Sequence, residues 1–258
     1  MRVRNPNHCP QNGFSLIEMM VVVLILGIVS AGIFSQLDLA QQRAFSEQVK
    51  LDNLQEARDF VDQFFRDVNQ IGYPNSRLVD TTSISWSPAL TTQTTYSWAS
   101  RYINDNRLAI GLVKVDANGI QLEGDMNGNG VIQSVIYMVN GSGNCPLCLQ
   151  RSQADKVSAN PLTGQTQNWG TETNDVVSSS IFSYFKADGT QVTTLPLDIS
   201  TAAGAQTIAS IKTIQISLVI RNNAVVDPKT AQAIETTFQG QVSLNNCSMA
   251  ASGAPMSC

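Results

Sequence analysis

An uncharged apolar segment near the N-terminus limits what this chain can fold into. Residues 19–34 read MMVVVLILGIVSAGIF, and mostly apolar flanks extend the segment from Phe14 to Leu37. At 1.5 Å per residue, a helix of this length covers the roughly 30 Å of a bilayer's hydrocarbon core. We therefore predict that residues 14–37 form a membrane-spanning helix.

The composition excludes several classes of function. The 258 residues include 16 Lys and Arg against 20 Asp and Glu, for a formal net charge of −4. This charge provides no positive field to hold a phosphate backbone, so we do not expect nucleic acid as the main partner. The single histidine, His8, lies before the apolar segment. Removal of an N-terminal leader would leave no histidine for a serine or cysteine triad, and we predict a protein that is not an enzyme.

The residues that precede the apolar segment are the most informative motif. They read Gly13-Phe14-Ser15-Leu16-Ile17-Glu18, with Arg2 and Arg4 upstream. A carboxylate inside an apolar helix costs about 2.5–3.5 kcal/mol on insertion scales, so Glu18 needs a partner or a function. The hexapeptide, its basic leader and the apolar stretch together closely resemble the type IV prepilin signature. Type IV pilins and type II secretion pseudopilins share that signature.

This resemblance implies how the N-terminus is processed. A prepilin peptidase, which is also the methyltransferase, would cut between Gly13 and Phe14 and methylate the new Phe14 amine. Residues 1–13 would be the leader peptide. Glu18 would meet the N-terminal amine of a neighbouring subunit as the fibre assembles, because opposite charges in an apolar core stabilise each other.

The resemblance also implies partners and a location. The partners would be other major and minor pilins, the peptidase, the inner-membrane assembly platform and the membrane itself. Before assembly the chain would cross the inner membrane once, with its head in the periplasm. After assembly it would lie in the pilus fibre at the cell surface.

A second helical pattern follows the apolar segment. Apolar residues recur at spacings of three and four, while charged residues, Asp67 among them, fall mostly on the other faces. The apolar positions are Leu51, Leu54, Ala57, Val61, Phe64, Phe65, Val68 and Ile71. The pattern stops at Gly72-Tyr73-Pro74, where glycine can take a left-handed cap and proline ends the helix. We predict an amphipathic helix extension over residues 38–74 and a globular head over residues 75–258.

The head has the composition of a β-rich domain. Strand-like runs fall at residues 107–115, 120–123, 131–139, 176–186, 211–221 and 236–244. Residues 75–100 and 151–174 have no clear periodicity, and we interpret them as loops or short irregular strands. The predicted fold class is α+β and pilin-like, with the long N-terminal helix packed against an antiparallel β-sheet.

A possible calcium loop lies within the head. Asp125, Asn127 and Asn129 alternate up to Gly130, as in the first half of a calcium-binding loop. The twelfth position of that pattern, normally a bidentate Glu, is Ile136. The other interpretation is a hairpin turn whose Asn-Gly pairs supply positive φ angles. Glu123 or Asp116 could complete a cation site if either approached the loop. Apart from this possible calcium, we predict no cofactor.

The cysteines indicate disulfide bonds. Removal of the leader takes Cys9 and leaves Cys145, Cys148, Cys247 and Cys258, an even number in an oxidising compartment. The Cys-x-x-Cys pair lies in a loop context without a βαβ unit, and zinc would need further ligands at suitable spacing. We predict the pairs Cys145–Cys148 and Cys247–Cys258, although four cysteines allow three connectivities.

The resemblance favours one function and leaves two others open. A head of this size favours a minor pilin that is assembled into a type IV pilus or primes it. The first alternative is a pseudopilin of a type II secretion system. The second is a membrane-anchored, calcium-dependent adhesin or binding protein that a pilin N-terminus delivers.

Overall fold

The computed structural model describes residues 13, 15–73, 109–139, 147–157, 161–162, 165–178, 180–227, 230 and 232–244. These residues form two helices and nine strands. In chain order they are α1 (Leu16–Gln70), β1 (Leu112–Val115), β2 (Gly119–Gly124), β3 (Gln133–Val139), β4 (Leu149–Asp155), β5 (Trp169–Thr173), β6 (Phe182–Lys186), β7 (Leu197–Asp198), α2 (Ala202–Ala209), β8 (Ile211–Val226) and β9 (Ala233–Ser243).

Helix α1 is the longest element and joins two different environments. Its 55 residues span about 80 Å at 1.5 Å per residue. The apolar first half is exposed along its whole length, whereas the second half buries a stripe that includes Ala57, Phe60 and Phe64. The helix ends where predicted, with Ile71 extended and Gly72 in the left-handed region at φ 69°.

The strands form two antiparallel sheets that meet beneath α1. The first sheet has six strands in the order β5-β4-β3-β2-β1-β7, and the second has three in the order β6-β8-β9. The Phe64 ring lies 5.2 Å from that of Tyr137 in the first sheet and 5.5 Å from that of Phe182 in the second. One helical side chain therefore packs against both sheets.

Close backbone contacts fix the end of α1 to strand β2. Ile71 forms an isolated bridge with Gly124, and the Gly72 N–H donates to the Glu123 carbonyl at 2.9 Å. A Cβ atom at position 124 would lie 2.4 Å from the Gln70 carbonyl oxygen. Only glycine allows the strand to approach the helix terminus this closely.

The predicted fold class, α+β with a long helix on antiparallel sheets, is confirmed. Strands β2, β3, β8 and β9 lie where the sequence placed strands. The predicted run 176–186 is not one strand, because Val176 makes only an isolated bridge before β6 begins at Phe182. Residues 75–100 lie outside the described part of the chain.

Residues 151–174 were interpreted as loops or short irregular strands, and the structure places most of β4 and all of the five-residue β5 there. Strand β4 reads LQRSQAD, and its buried residues include Gln150 and Ser152. Buried polar residues give no apolar alternation, which is the signal that predicts a strand. Strand β7 and helix α2 were also not predicted.

Two residues of the amphipathic helix differ from the prediction. Leu51, counted in the apolar stripe, is 60% exposed, while the stripe buries Phe60 instead. Asp67, assigned to a charged face, is only 2% exposed. Its position follows Phe60 and Phe64 at helical spacing and precedes Ile71, so it belongs to the buried stripe.

Candidate functional site

The start of α1 carries the predicted processing and assembly residues. Ser15 is the N-cap in an extended conformation, and Gly13 before it is exposed. Glu18 lies in the first helical turn, where its N–H donates to the Ser15 carbonyl at 3.0 Å. Phe14 lies outside the described residues. A carboxylate in this turn is favoured by the positive end of the helix dipole.

The Glu18 side chain is exposed and forms no ion pair with any described residue. The large apolar side chains from Leu16 to Leu37 are also exposed, with exposed fractions between 51% and 78%. The most apolar 18-residue window of α1 has a mean hydropathy of 2.6, and none of it is buried by the rest of the chain. By length and composition α1 can cross a membrane. This half of the helix therefore needs an apolar environment from outside the chain.

The other half of α1 is joined to the head by a buried polar cluster, which the sequence analysis missed. Asp67 Oδ2 accepts a 2.6 Å hydrogen bond from the Tyr137 hydroxyl and a 2.9 Å bond from Arg151 Nε. Asp67 Oδ1 accepts a bond from Gln63 Nε2 at 2.9 Å. Arg151 Nη2 also donates to Gln153 Oε1 at 2.7 Å. We call Asp67, Tyr137 and Arg151 the junction cluster.

Burial makes the junction cluster a strong connection between the helix and the six-stranded sheet. Asp67 and Arg151 side chains are 3% and 14% exposed, and their charges compensate each other. Burial, and after it the Asp67 carboxylate, raises the pKa of Tyr137 far above its usual range, so the hydroxyl remains a donor. One sequence signal could have revealed the cluster, because a carboxylate on an apolar helical stripe requires a buried partner.

A shallow groove of about 490 Å³ lies beside the junction cluster. Residues of α1 line one side and Arg151, Gln153 and Glu172 line the other. Burial raises the pKa of Glu172, and the nearby Arg151 lowers it only in part. Residues of both charge signs line the groove, as is typical of a solvated helix–sheet boundary.

A second buried ion pair joins strands β2 and β4 at their ends. The Nζ atom of Lys156 lies 2.8 Å from Glu123 Oε2, and both side chains are fully buried. The same carboxylate oxygen accepts a 3.2 Å bond from the Ile110 N–H. Glu123 is thus held by Lys156 and does not approach the loop after β2.

The loop at residues 125–130 lies in the hairpin connection between β2 and β3. Asp125 Oδ1 and Oδ2 accept the backbone N–H groups of Asn129 and Gly130 at 3.0 and 2.8 Å. Gly128 and Gly130 have positive φ angles of 66° and 81°. The Asn127 side chain accepts a 3.3 Å bond from Gln153.

These contacts match the turn interpretation of the loop. Within the described ranges, no group of three or more His, Cys, Asp or Glu side chains is placed to hold a metal ion. Asp116 uses Oδ1 to accept its neighbour's N–H, from Ala117 at 2.7 Å. Calcium at Asp125, Asn127 and Asn129 stays a prediction.

Among the predicted disulfide cysteines, the structure describes Cys148. It is 2% exposed and disulfide-bonded, and its partner lies outside the described residues. Cys145, Cys247 and Cys258 also lie outside them. Both predicted pairings therefore stay predictions.

Comparison with known proteins points to the N-terminus. Residues 9–34 match a family model described as the prokaryotic N-terminal methylation motif. No curated protein and no solved structure matches the chain. The matched range contains Gly13, Phe14 and Glu18 and most of the exposed apolar half of α1.

Proposed function

We propose that this chain is a type IV prepilin-like protein that serves as a minor pilin subunit of a type IV pilus. Residues 1–13 are the leader that prepilin peptidase removes, and Phe14 is then N-methylated. Residues 14–37 are the membrane and fibre-core helix, residues 38–74 the helix extension, and residues 75–258 the head. Before assembly the head lies in the periplasm and the helix lies in the inner membrane.

Assembly moves the apolar half of α1 from lipid into a bundle of similar helices. Both environments remove the same apolar surface from water, so the hydrophobic free energy of the helix changes little on transfer from lipid to the bundle. The pairing of charged groups sets the final position of the helix in the bundle. Glu18 and the amine of Phe14 on a neighbouring subunit compensate each other inside the fibre, whereas either alone is penalised.

One observation carries this proposal. Glu18 is the only charged residue between Ser15 and Leu37, it is exposed, and it lies at the start of an apolar helix that the chain leaves uncovered. A membrane anchor alone has no need for a carboxylate at that depth. Pairing with the N-terminal amine of a second subunit would account for a carboxylate at this position.

The test is incorporation of Glu18→Ala into fibres. We expect the variant to be cleaved and to reach the membrane, yet to be absent from sheared surface fibres. Glu47→Ala is the matched control, because Glu47 lies on the same helix, is 69% exposed and forms a surface ion pair with Lys50. Equal incorporation of Glu18→Ala and the control would contradict the assembly role.

The methylation motif is shared with pseudopilins, so a type II secretion role is the second candidate. The two differ in where the mature protein is found. A minor pilin is recovered in long fibres sheared from the cell surface, and its deletion reduces piliation. A pseudopilin stays with the envelope, and its deletion blocks export of secreted proteins.

We propose that the head is stabilised by disulfides Cys145–Cys148 and Cys247–Cys258. The bonded state of Cys148 supports a disulfide at this cysteine without naming its partner, and the oxidising compartment is consistent with both pairs. Peptide mass spectrometry without reduction tests them. A peptide that links Cys148 to Cys247 or Cys258 would replace this connectivity.

Calcium binding by the loop at residues 125–130 is a separate proposal, linked to the adhesin alternative. It predicts that calcium raises the melting temperature of the protein and that Asp125→Asn removes the increase. If the loop is only a turn, calcium does not change the melting temperature. Asp125→Asn still lowers the stability of the protein, because the carboxylate accepts two backbone N–H groups and a neutral amide has only one oxygen to accept them.

A further inference from the structure

Strand β9 is an open edge of the three-stranded sheet. It has 11 residues, and among the described strands it pairs with β8 alone. In an antiparallel pair, alternate residues turn their N–H and C=O groups to the partner strand. Because the Leu244 N–H donates to Lys212, the even-numbered residues face β8. The outward groups belong to Glu235, Thr237, Gln239, Gln241 and Ser243, and no described residue bonds to them.

This edge lacks the features that normally prevent strand addition. Edge strands are usually protected by lysine, proline, a bulge or short length. Strand β9 contains neither Lys nor Pro, and its register with β8 is regular from Ile234 to Ser243. The residues whose N–H and C=O groups point outward have exposed side chains, and these side chains are uncharged apart from Glu235. Glu235 is already paired, since Arg221 Nε donates to it at 2.7 Å.

We propose that the outer edge of β9 binds an extended strand of a different pilin-like subunit, which extends the sheet by a fourth strand. The class of partner rests on the proposed function, whereas the open edge does not. Main-chain hydrogen bonds would supply the affinity. The added strand needs uncharged polar side chains beside Thr237 and Gln239, and apolar ones on the opposite face beside the half-buried Phe238.

The direction of α1 argues against a second copy of this chain paired antiparallel at this edge. Two identical edges pair antiparallel about a two-fold axis perpendicular to the sheet, and such a rotation reverses any direction within the sheet plane. Helix α1 lies against that sheet, as shown by Gly240, where an added Cβ would lie 3.1 Å from the Phe65 ring. The two helices would point in opposite directions. They could then not enter one membrane or one fibre from the same side.

Site-specific photo-crosslinking in intact cells tests the proposal on the full-length protein. Benzoylphenylalanine replaces Gln239 at the edge, and in the control it replaces Ala187, which is exposed in the turn at the far side of the same sheet. We expect the edge position alone to give a cross-link to a chain that carries its own prepilin motif. Mass spectrometry of the cross-linked peptides identifies that chain.

A backbone variant separates strand addition from side-chain contact. Gln241→Pro removes an outward N–H that the fold does not use, whereas Gln241→Thr keeps it. Loss of about one hydrogen bond should lower the cross-link yield roughly three- to tenfold for proline and leave it unchanged for threonine. If the proline variant does not fold, Gln241→Lys, which adds a charge at the edge, serves in its place.

Several results would overturn the proposal. They are a cross-link to another copy of this chain, a cross-link to residues 245–258 of the same chain, a cross-link to a protein without a prepilin motif, and a yield that Gln241→Pro or its lysine substitute leaves unchanged. Equal yields from positions 239 and 187, or none from 239, would have the same meaning. Failure of the proposed function is distinguishable, because it appears as normal fibre incorporation of Glu18→Ala.

Discussion

The two halves of α1 are one continuous helix that meets two different solvents. In the first half, Leu24 and Leu26 are 63% and 62% exposed, although they are among the most apolar residues of the chain. In the second half, Phe64 is fully buried between two sheets and even the charged Asp67 is covered. The described part of the head thus covers only the second half of α1. The other half requires lipid or other helices.

The largest expected effect comes from the difference in side-chain packing between the two halves of α1. Phe64→Ala should lower the free energy of unfolding by about 3–5 kcal/mol, because it removes a buried ring that contacts both sheets. Phe34→Ala is the matched control on the same helix, at a position that is 70% exposed. It should change the unfolding of the head by less than about 0.5 kcal/mol. Denaturant unfolding in detergent measures both, and similar losses would contradict the division.

The second effect concerns charge. Asp67→Asn leaves Arg151 buried without its counter-ion and should cost about 2–4 kcal/mol. Asp38→Asn changes an exposed aspartate whose Oδ2 accepts a bond from Gln42, and it should cost under about 1 kcal/mol. Thermal unfolding of both variants is the measurement. A loss for Asp67→Asn no larger than that for Asp38→Asn would mean that the junction cluster does not hold the helix to the head.

The third effect tests the contact between the helix end and β2. Gly124→Ala places a Cβ against the Gln70 carbonyl, and we expect a loss of roughly 1–3 kcal/mol as the backbone shifts. Gly27→Ala, in the exposed half, meets no atom within 4 Å. It should leave the unfolding of the head unchanged. Unfolding curves that rank the two variants in the opposite order would refute the close contact.

The smallest effect is pH-dependent. Burial raises the pKa of Glu172 in the folded protein, so folding favours its protonated form. The ionised form therefore reduces stability as the pH rises through that raised pKa. Glu172→Gln removes this penalty and should raise the melting temperature on the order of 1 °C near neutral pH. Below the ordinary glutamate range the difference should vanish, and an increase that persists there would contradict the assignment.

The sequence predicts the first half of α1 better than the head for a physical reason. The charge-free apolar run and the motif from Gly13 to Glu18 are local features, so neighbouring residues in the sequence are enough to recognise them. The junction cluster joins Asp67, Tyr137 and Arg151, which are distant along the chain. Strand β4 contains Arg151 and buries Gln150 and Ser152. Its extended conformation therefore depends on pairing with the neighbouring strand β3, and its own sequence shows no apolar alternation. Asp67 was nevertheless recognisable from its position between Phe64 and Ile71.

The most direct test of the central claim is mass spectrometry of the native protein from sheared surface fibres and from membranes. We expect a fibre-borne species that begins at N-methyl-Phe14 and has lost residues 1–13, with the mass deficit of two disulfides. A species that retains residues 1–13 and occurs only in membranes would contradict it. The apolar half of α1 would then be a plain membrane anchor.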